Sequence, residues 1–331
     1  MPAMRRLGNC RQNNGKQEKI NMKIAVIGAG AMGTLFGGKL AMAGNDVTMV
    51  DVVPAVLETI NRDGIELEDE AGMHKIPVAA KRAEEMTEEA DLAILFTKTF
   101  YSRSALESAA RTFIGKNTYV LTLQNGLGNI ELINEFVGLD KILVGVTNYA
   151  SDVKGPGKIS SKGAGYVRIY TANLEDTAVV HEVHEALVQA GFNAEITKDV
   201  YVAIWEKVGF NAAINATTAI VHAPCGAIGA VEEGRFLAAK IATETAAVGQ
   251  AHGVDVKAED IIHSLENTYV AHKDHYTSMA QDLKNKRKTE ARFINGGIVA
   301  KAKEKGIEVP YTEAIYCLLR TIEDTFDMQG F

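Results

Sequence analysis

Lys23-Ile24-Ala25-Val26-Ile27-Gly28-Ala29-Gly30-Ala31-Met32-Gly33 is the stretch on which the reading of this chain turns. Its first five residues are a short apolar, partly β-branched run and read as a buried strand. The last six form a Gly-x-Gly-x-x-Gly loop that opens a helix-like stretch, Thr34 to Ala43, closed by Gly44-Asn45. Each glycine has a mechanical reason in that setting: a tight turn, close approach of backbone to a pyrophosphate, and close packing of helix on strand. The helix N-terminus offers free N–H groups to phosphates. The stretch therefore predicts a bound dinucleotide cradled by Gly28, Ala29, Gly30, Ala31, Met32 and Gly33.

The next elements extend the pattern. Val47 to Asp51 reads as a second strand, and Pro54 to Arg62 as a helix with proline in its favoured first turn. Asp51 ends the second strand, where an acidic side chain hydrogen-bonds a ribose 2′-OH and repels a 2′-phosphate. That favours NAD(H) over NADP(H); the plainer alternative is an exposed loop aspartate. Asp91–Lys98, Thr118–Leu123 and Ile142–Val146 are further buried-looking strands. Strands alternating with helices imply an α/β, doubly wound, mostly parallel sheet of the Rossmann type. Lys98 and Asn125, the latter within Leu123-Gln124-Asn125-Gly126-Leu127-Gly128, follow the carboxyl ends of later strands. Ligands of open α/β sheets bind at that edge.

The pattern changes after Tyr149. Residues 150–172 carry Gly155-Pro156-Gly157 and Gly163-Ala164-Gly165 between short strand-like pieces, which read as antiparallel strands added to the sheet edge. A helix over about 176–190 and a strand over Asn193–Thr197 complete the first domain. From Asp199, an expected N-cap, the rest reads as helical. The expected division is a dinucleotide-binding domain over 22–198 and an all-α domain over 199–331. Residues 1–21 lack an apolar segment, so they are no secretory signal and are expected to be a disordered arm or residues ahead of a start at Met22, with a transit peptide as the weaker alternative.

Bulk properties narrow the classes. The 331 residues are 47% hydrophobic and 23% charged, as in ordinary globular proteins, and suggest two domains. A formal net charge of −7 argues against a nucleic-acid-binding surface. The basic run Lys284-Asn285-Lys286-Arg287-Lys288 reads as a solvated helix face. No apolar stretch is long enough for a transmembrane helix. Cys10, Cys225 and Cys317 are far apart and form neither a disulfide framework nor a metal-ligand spacing, which fits a reducing cytoplasm. His252, His272 and His275 lack the spacing of a zinc site, so no metal is expected.

In the second half, Trp205-Glu206-Lys207-Val208-Gly209-Phe210-Asn211-Ala212-Ala213-Ile214-Asn215 puts one lysine and two asparagines at i, i+4 and i+8. On a helix they share one face. Their neighbours are mostly apolar, so the stripe is expected to face a partly enclosed place. Desolvation disfavours the charged lysine, and such a lysine can donate a proton to a developing alkoxide. The bland alternative is a surface lysine beside helix-internal amides.

These residues together resemble ketopantoate reductase (2-dehydropantoate 2-reductase). The resemblance rests on the strand–GAGAMG–helix start, the LQNGLG loop, Gly155-Pro156-Gly157 and the Lys207/Asn211/Asn215 stripe. It continues through Ser278-Met279-Ala280-Gln281-Asp282, Arg287-Lys288-Thr289-Glu290 and Ile294-Asn295-Gly296-Gly297, in the family's order. It implies a Rossmann-type domain, then an all-helical one, with the site in the cleft between them. It implies Lys207 as general acid, with Asn211 and Asn215 holding the substrate's hydroxyl and carboxyl end. Ser278 would bind the carboxylate, and Glu290 would contact substrate or cofactor and help set the lysine's protonation. Lys98 and Asn125 would touch the cofactor and help close the cleft. Dimers occur in the family, so a homodimer is one expectation.

Two positions depart from the family's pattern. NADP-using members commonly carry a basic residue where Asp51 stands, and Pro224-Cys225 replaces a frequent Pro-Asn. Both fit a related branch of NAD-dependent D-2-hydroxyacid dehydrogenases acting on other branched or aromatic 2-keto acids. A rival from another class is a non-catalytic NAD(H)-responsive binding protein, which needs Asp51 and the glycines but has no use for Lys207.

Overall fold

The computed structural model describes residues 21–329. The expected arm, apart from Asn21, and Cys10 lie outside the described residues.

Twelve strands follow in chain order: β1 (Lys23–Ile27), β2 (Asp46–Val50), β3 (Ile65–Asp69), β4 (Gly72–Ile76), β5 (Ala79–Lys81), β6 (Leu92–Leu95), β7 (Tyr119–Thr122), β8 (Ile142–Thr147), β9 (Asp152–Gly155), β10 (Lys158–Ser160), β11 (Val167–Thr171) and β12 (Ala194–Ile196). Helices α1 (Ala31–Met42), α2 (Pro54–Asp63), α3 (Ser102–Ala110), α4 (Asn129–Ile133) and α5 (Ala178–Gln189) lie between them. The chain then continues in helices: α6 (Val200–Val221), α7 (Cys225–Gly229), α8 (Glu232–Ala251), α9 (Ala258–Ala271), α10 (Ser278–Lys284), α11 (Asn295–Lys305) and α12 (Pro310–Asp324). No helix among the described residues is long and apolar enough to cross a membrane.

The main sheet has the order β12-β11-β8-β7-β6-β1-β2-β5. From β8 to β5 its neighbours are parallel, and the strand residues are nearly all buried, as parallel strands covered on both faces must be. The order reverses at β1, which lies between β6 and β2. A doubly wound Rossmann-type sheet followed by a helical domain is the observed architecture.

Residues 150–172 behave differently from the expected edge extension. Only β11 joins the main sheet, antiparallel to β8, and β12 covers its outer side. The hairpin β9–β10 leaves for a second, four-stranded sheet of order β4-β3-β10-β9. Ile159 pairs there with Leu67, and both side chains are buried. In β3 Ile65 and Leu67 are buried and alternate with Glu66 and Glu68, a pattern only four residues long, whereas β4 buries Ile76 alone. So short an alternation gives a weak signal for β3, and β4 gives none.

Two hydrophobic cores result. One gathers the sheet and its helices and ends with Val200; the other begins at Trp205 and lies among the later helices. Ile204 packs on both. Helix α6 carries the chain from one core into the other, packing on β8 at one end and on α8, α9, α10 and α12 further along. Every residue from Asn211 to Ala219 is buried. A helix enclosed on all sides tolerates a polar stripe only where the stripe meets a cleft or a partner. Asp199 stands at the N-cap position of α6, but its side chain makes no capping bond.

Candidate active site

A junction forms where the residues after β6 and β7 and the end of β8 meet α6 and the segment from α10 to α11. Its first wall is the glycine loop. Gly28 has φ of 100°, and a Cβ added there would lie 2.8 Å from the backbone nitrogen of Thr97 after β6. Only glycine meets both demands. Around Gly30 a Cβ would meet nothing within 4 Å, so the helix N-terminus opens onto free space. That is what a pyrophosphate-binding turn requires.

Asp51 organises this wall. One carboxylate oxygen accepts the Ala29 N–H at 2.6 Å, and the other accepts those of Val52 and Val53 at 2.7 and 2.9 Å. The side chain thus ties the end of β2 to the glycine loop, so it is more than an exposed loop aspartate. A cavity of about 390 Å³ adjoins it, lined by Gly30, Asp51, Val53 and Val56 and, from the β9–β10 hairpin, Val153 and Pro156. The Gly-Pro-Gly turn therefore closes the dinucleotide wall, a placement that its sequence did not announce.

The second wall is the stripe on α6. The ammonium of Lys207 donates to the carbonyl oxygen of Thr147, at the end of β8, at 2.7 Å. Lys207 is half-buried. Burial pushes its ammonium down, the nearby Glu290 carboxylate offsets part of that, and the outcome is about 8. Asn211 and Asn215 are 7% exposed each, and neither amide bonds a side chain or carbonyl among the described residues. Neither amide is sealed off from solvent, so both are accessible hydrogen-bonding groups on this face of α6 and are free to meet a ligand. Asn295 fixes the helix behind them: its amide donates to the Ala212 carbonyl at 3.0 Å.

Glu290 is held between domains. Its two oxygens accept from the Thr99 hydroxyl at 3.1 Å and from the Asn125 amide at 3.2 Å. Leu127, in the same loop as Asn125, donates its N–H to the Phe293 carbonyl at 2.8 Å. Lys98 donates to Asp282 on α10 at 2.7 Å. Glu290 and Asn125 are hydrogen-bonded to each other, Lys207 feels the Glu290 charge without bonding it, Lys98 stands beside them, and Asp51 with the glycines forms the other wall. Ser278 is exposed in the first turn of α10 and has no bond to the others. The N-cap of α10 is Thr277, which accepts from Ala280 N and shares a hydrogen bond with Thr218, one turn past Asn215.

Three participants escaped the sequence reading. Thr99 adjoins Lys98, and Asp282 sits inside a quoted motif, so adjacency was their only signal. Thr147 contributes a backbone carbonyl, which no side-chain pattern reveals. The basic run 284–288 is also corrected: α10 stops at Lys284, and the rest is an exposed turn in which Lys286 has φ of 50°. Arg287 leaves that turn to pair with Asp282 at 3.1 Å. His252 stacks on Trp205 and hydrogen-bonds the Lys301 carbonyl.

Comparison with known proteins gives consistent results. The family model described as ketopantoate reductase PanE/ApbA matches residues 24–174, and the model of its C-terminal part matches residues 199–323. A 2-dehydropantoate 2-reductase of Streptococcus pyogenes is 34% identical over 310 residues, covering 93% of this chain and 100% of the relative. One from Pyrococcus horikoshii is 33% identical over 306 residues, covering 91% and 98%. A solved structure of D-mandelate dehydrogenase with NADH and anilino(oxo)acetate superposes with a TM-score of 0.88 at 29% identity, covering 92% of this chain and 100% of that one.

Proposed function

The chain belongs to the ketopantoate reductase PanE/ApbA family, and from that premise we propose that it reduces a branched 2-keto acid to a D-2-hydroxy acid. The first candidate substrate is 2-dehydropantoate, reduced to D-pantoate as in pantothenate biosynthesis. The observation that carries the reading is the Lys207 ammonium, held against the Thr147 carbonyl, shifted to about 8 and sharing a helix face with the solvent-reaching amides of Asn211 and Asn215. The glycine loop fits a nicotinamide dinucleotide because Gly30 faces open space and Gly33 packs against Gly28. Bound there, the dinucleotide supplies the hydride.

The chain's own groups do the rest in this reading. Lys207 protonates the ketone oxygen as negative charge develops on it. Asn211 and Asn215 orient the hydroxyl and carboxyl end of the substrate, and Ser278 takes the carboxylate at the mouth of α10. Glu290, oriented by Thr99 and Asn125, contacts substrate or cofactor and keeps Lys207 protonated at neutral pH. Lys98 and Asn125 meet the cofactor side of the cleft. The division of the chain near residue 198 belongs to the same reading, supported by the last strand ending at Ile196 and α6 starting at Val200. Exposed apolar side chains on the helical domain, among them Phe236, Val270 and Leu318, support a homodimer. A cytoplasmic enzyme is the setting this reading assumes.

The purified chain, given NADH or NADPH and a panel of 2-keto acids, is expected to consume reduced nicotinamide with at least one of them. Absence of turnover across the whole panel would remove the reading.

One observation favours a second reading, an NAD-dependent D-2-hydroxyacid dehydrogenase with another side-chain preference. It is Asp51, whose carboxylate already sits on the glycine loop. The cofactor preference that goes with it is NAD(H) over NADP(H). Asp51→Arg is expected to weaken NADH binding and improve NADPH binding, while Asp51→Asn, which keeps the shape, weakens the first without gaining the second. Tighter binding of NADPH than NADH by the unaltered chain would overturn this assignment.

A further inference from the structure

The ion pair between Lys98 and Asp282 joins the sheet domain to the helical domain across the mouth of the cleft. Lys98 follows β6 at the point where the strand order reverses, and Asp282 lies on α10. The two side chains are unequal. That of Asp282 is 7% exposed and that of Lys98 42%. One carboxylate oxygen takes Lys98 at 2.7 Å and the other takes Arg287 at 3.1 Å. The buried carboxylate is therefore the fixed partner, and the lysine is the mobile one held by it. The next residue, Thr99, bonds Glu290, eight positions after Asp282 in the same segment. A two-residue step on the sheet domain thus grips the helical domain at two carboxylates.

We propose that Asp282 is a positioning residue: it holds the Lys98 ammonium at the dinucleotide edge of the sheet and, with Thr99–Glu290, latches the cleft closed. This rests on the dinucleotide reading given above. Without Asp282, Lys98 is a long, exposed side chain with several rotamers open to it, and ordering it on a ligand costs entropy. With Asp282, that ordering is already done. Arg287 serves a different end: it shares the carboxylate from within the helical domain, and its backbone N–H also bonds the Asp282 carbonyl.

The test is a double-mutant cycle read by binding rather than turnover. NADH affinity is measured by fluorescence titration for the unaltered chain, Asp282→Asn, Lys98→Met and the double variant, with urea midpoints taken without ligand. Each single change is expected to weaken NADH about tenfold, and the double variant to be little worse than either, because the two residues act as one. Arg287→Gln is expected to leave the affinity within about twofold. Should Asp282→Asn not fold, Asp282→Glu, which keeps the charge but shifts it by a methylene, replaces it with the same expectation. Additive losses would overturn the proposal, since a purely structural Asp282 would leave the effect of Lys98→Met intact. So would an effect of Arg287→Gln equal to that of Asp282→Asn. No NADH binding by the unaltered chain would instead remove the dinucleotide reading, and the latch role with it.

Discussion

Lys207→Ala is expected to lower turnover by roughly 10²–10⁴-fold, the usual worth of a general acid, while dinucleotide affinity stays close to that of the unaltered chain. The separation follows from the geometry. Lys207 sits on α6 against Thr147, whereas the phosphate wall is made by the glycine loop and Asp51. A non-catalytic dinucleotide-binding protein would bind NADH yet show no turnover even unaltered, whereas turnover unchanged in the variant would show that Lys207 is not the proton donor. The pH profile carries the same information with a definite sign. Reduction uses the protonated lysine, and burial has brought its midpoint down to about 8. Turnover in the reductive direction is expected to be flat below that pH and to fall about tenfold per unit above it. The oxidative direction, which needs the neutral amine, is expected to rise towards the same midpoint. Glu290→Gln removes the charge that pulls the lysine upward, so the reductive limb is expected to move to lower pH. A profile unmoved by Glu290→Gln would show that the carboxylate does not act on Lys207.

Gly33→Ala and Gly30→Ala are expected to fail in opposite ways. A Cβ on Gly33 would stand 1.8 Å from the carbonyl oxygen of Gly28, a backbone atom that can move only if the turn itself moves. Overpacking of this kind costs on the order of 3 kcal/mol or more. Against a typical total of about 5–15 kcal/mol that is a large share, so the variant is expected to unfold at markedly lower temperature or urea. A Cβ on Gly30 meets nothing within 4 Å, so stability is expected to stay unchanged. The methyl group projects from the N-terminus of α1 into the space a pyrophosphate needs, and dinucleotide affinity is expected to drop about tenfold or more. If Gly30→Ala bound NADH as the unaltered chain does, the phosphates would not lie on this turn. If Gly33→Ala kept full stability, the close approach of helix to strand would not exist.

Sequence alone determined what depends on local sterics and periodicity. The turn at Gly28–Gly33 is dictated by backbone clearance over a few residues, and the parallel strands by continuous apolar runs, so both were legible. So was the stripe of Lys207, Asn211 and Asn215, since a helix of fixed pitch puts i, i+4 and i+8 on one face. Tertiary structure alone decided which distant segments met. The Gly155-Pro156-Gly157 turn between short strand-like pieces told that antiparallel strands were there, but not that β10 would pair with β3, some 90 residues earlier in the chain, because a turn names the two strands it joins and not their further neighbour. The partners Lys98–Asp282 and Thr99–Glu290 are separated by 184 and 191 residues. Nothing local links them, and only the docking of α10 and Glu290 against the loop after β6 does. The same docking gave Lys207 its lowered pKa, since desolvation is a property of the enclosing cleft and not of the helix that carries the lysine.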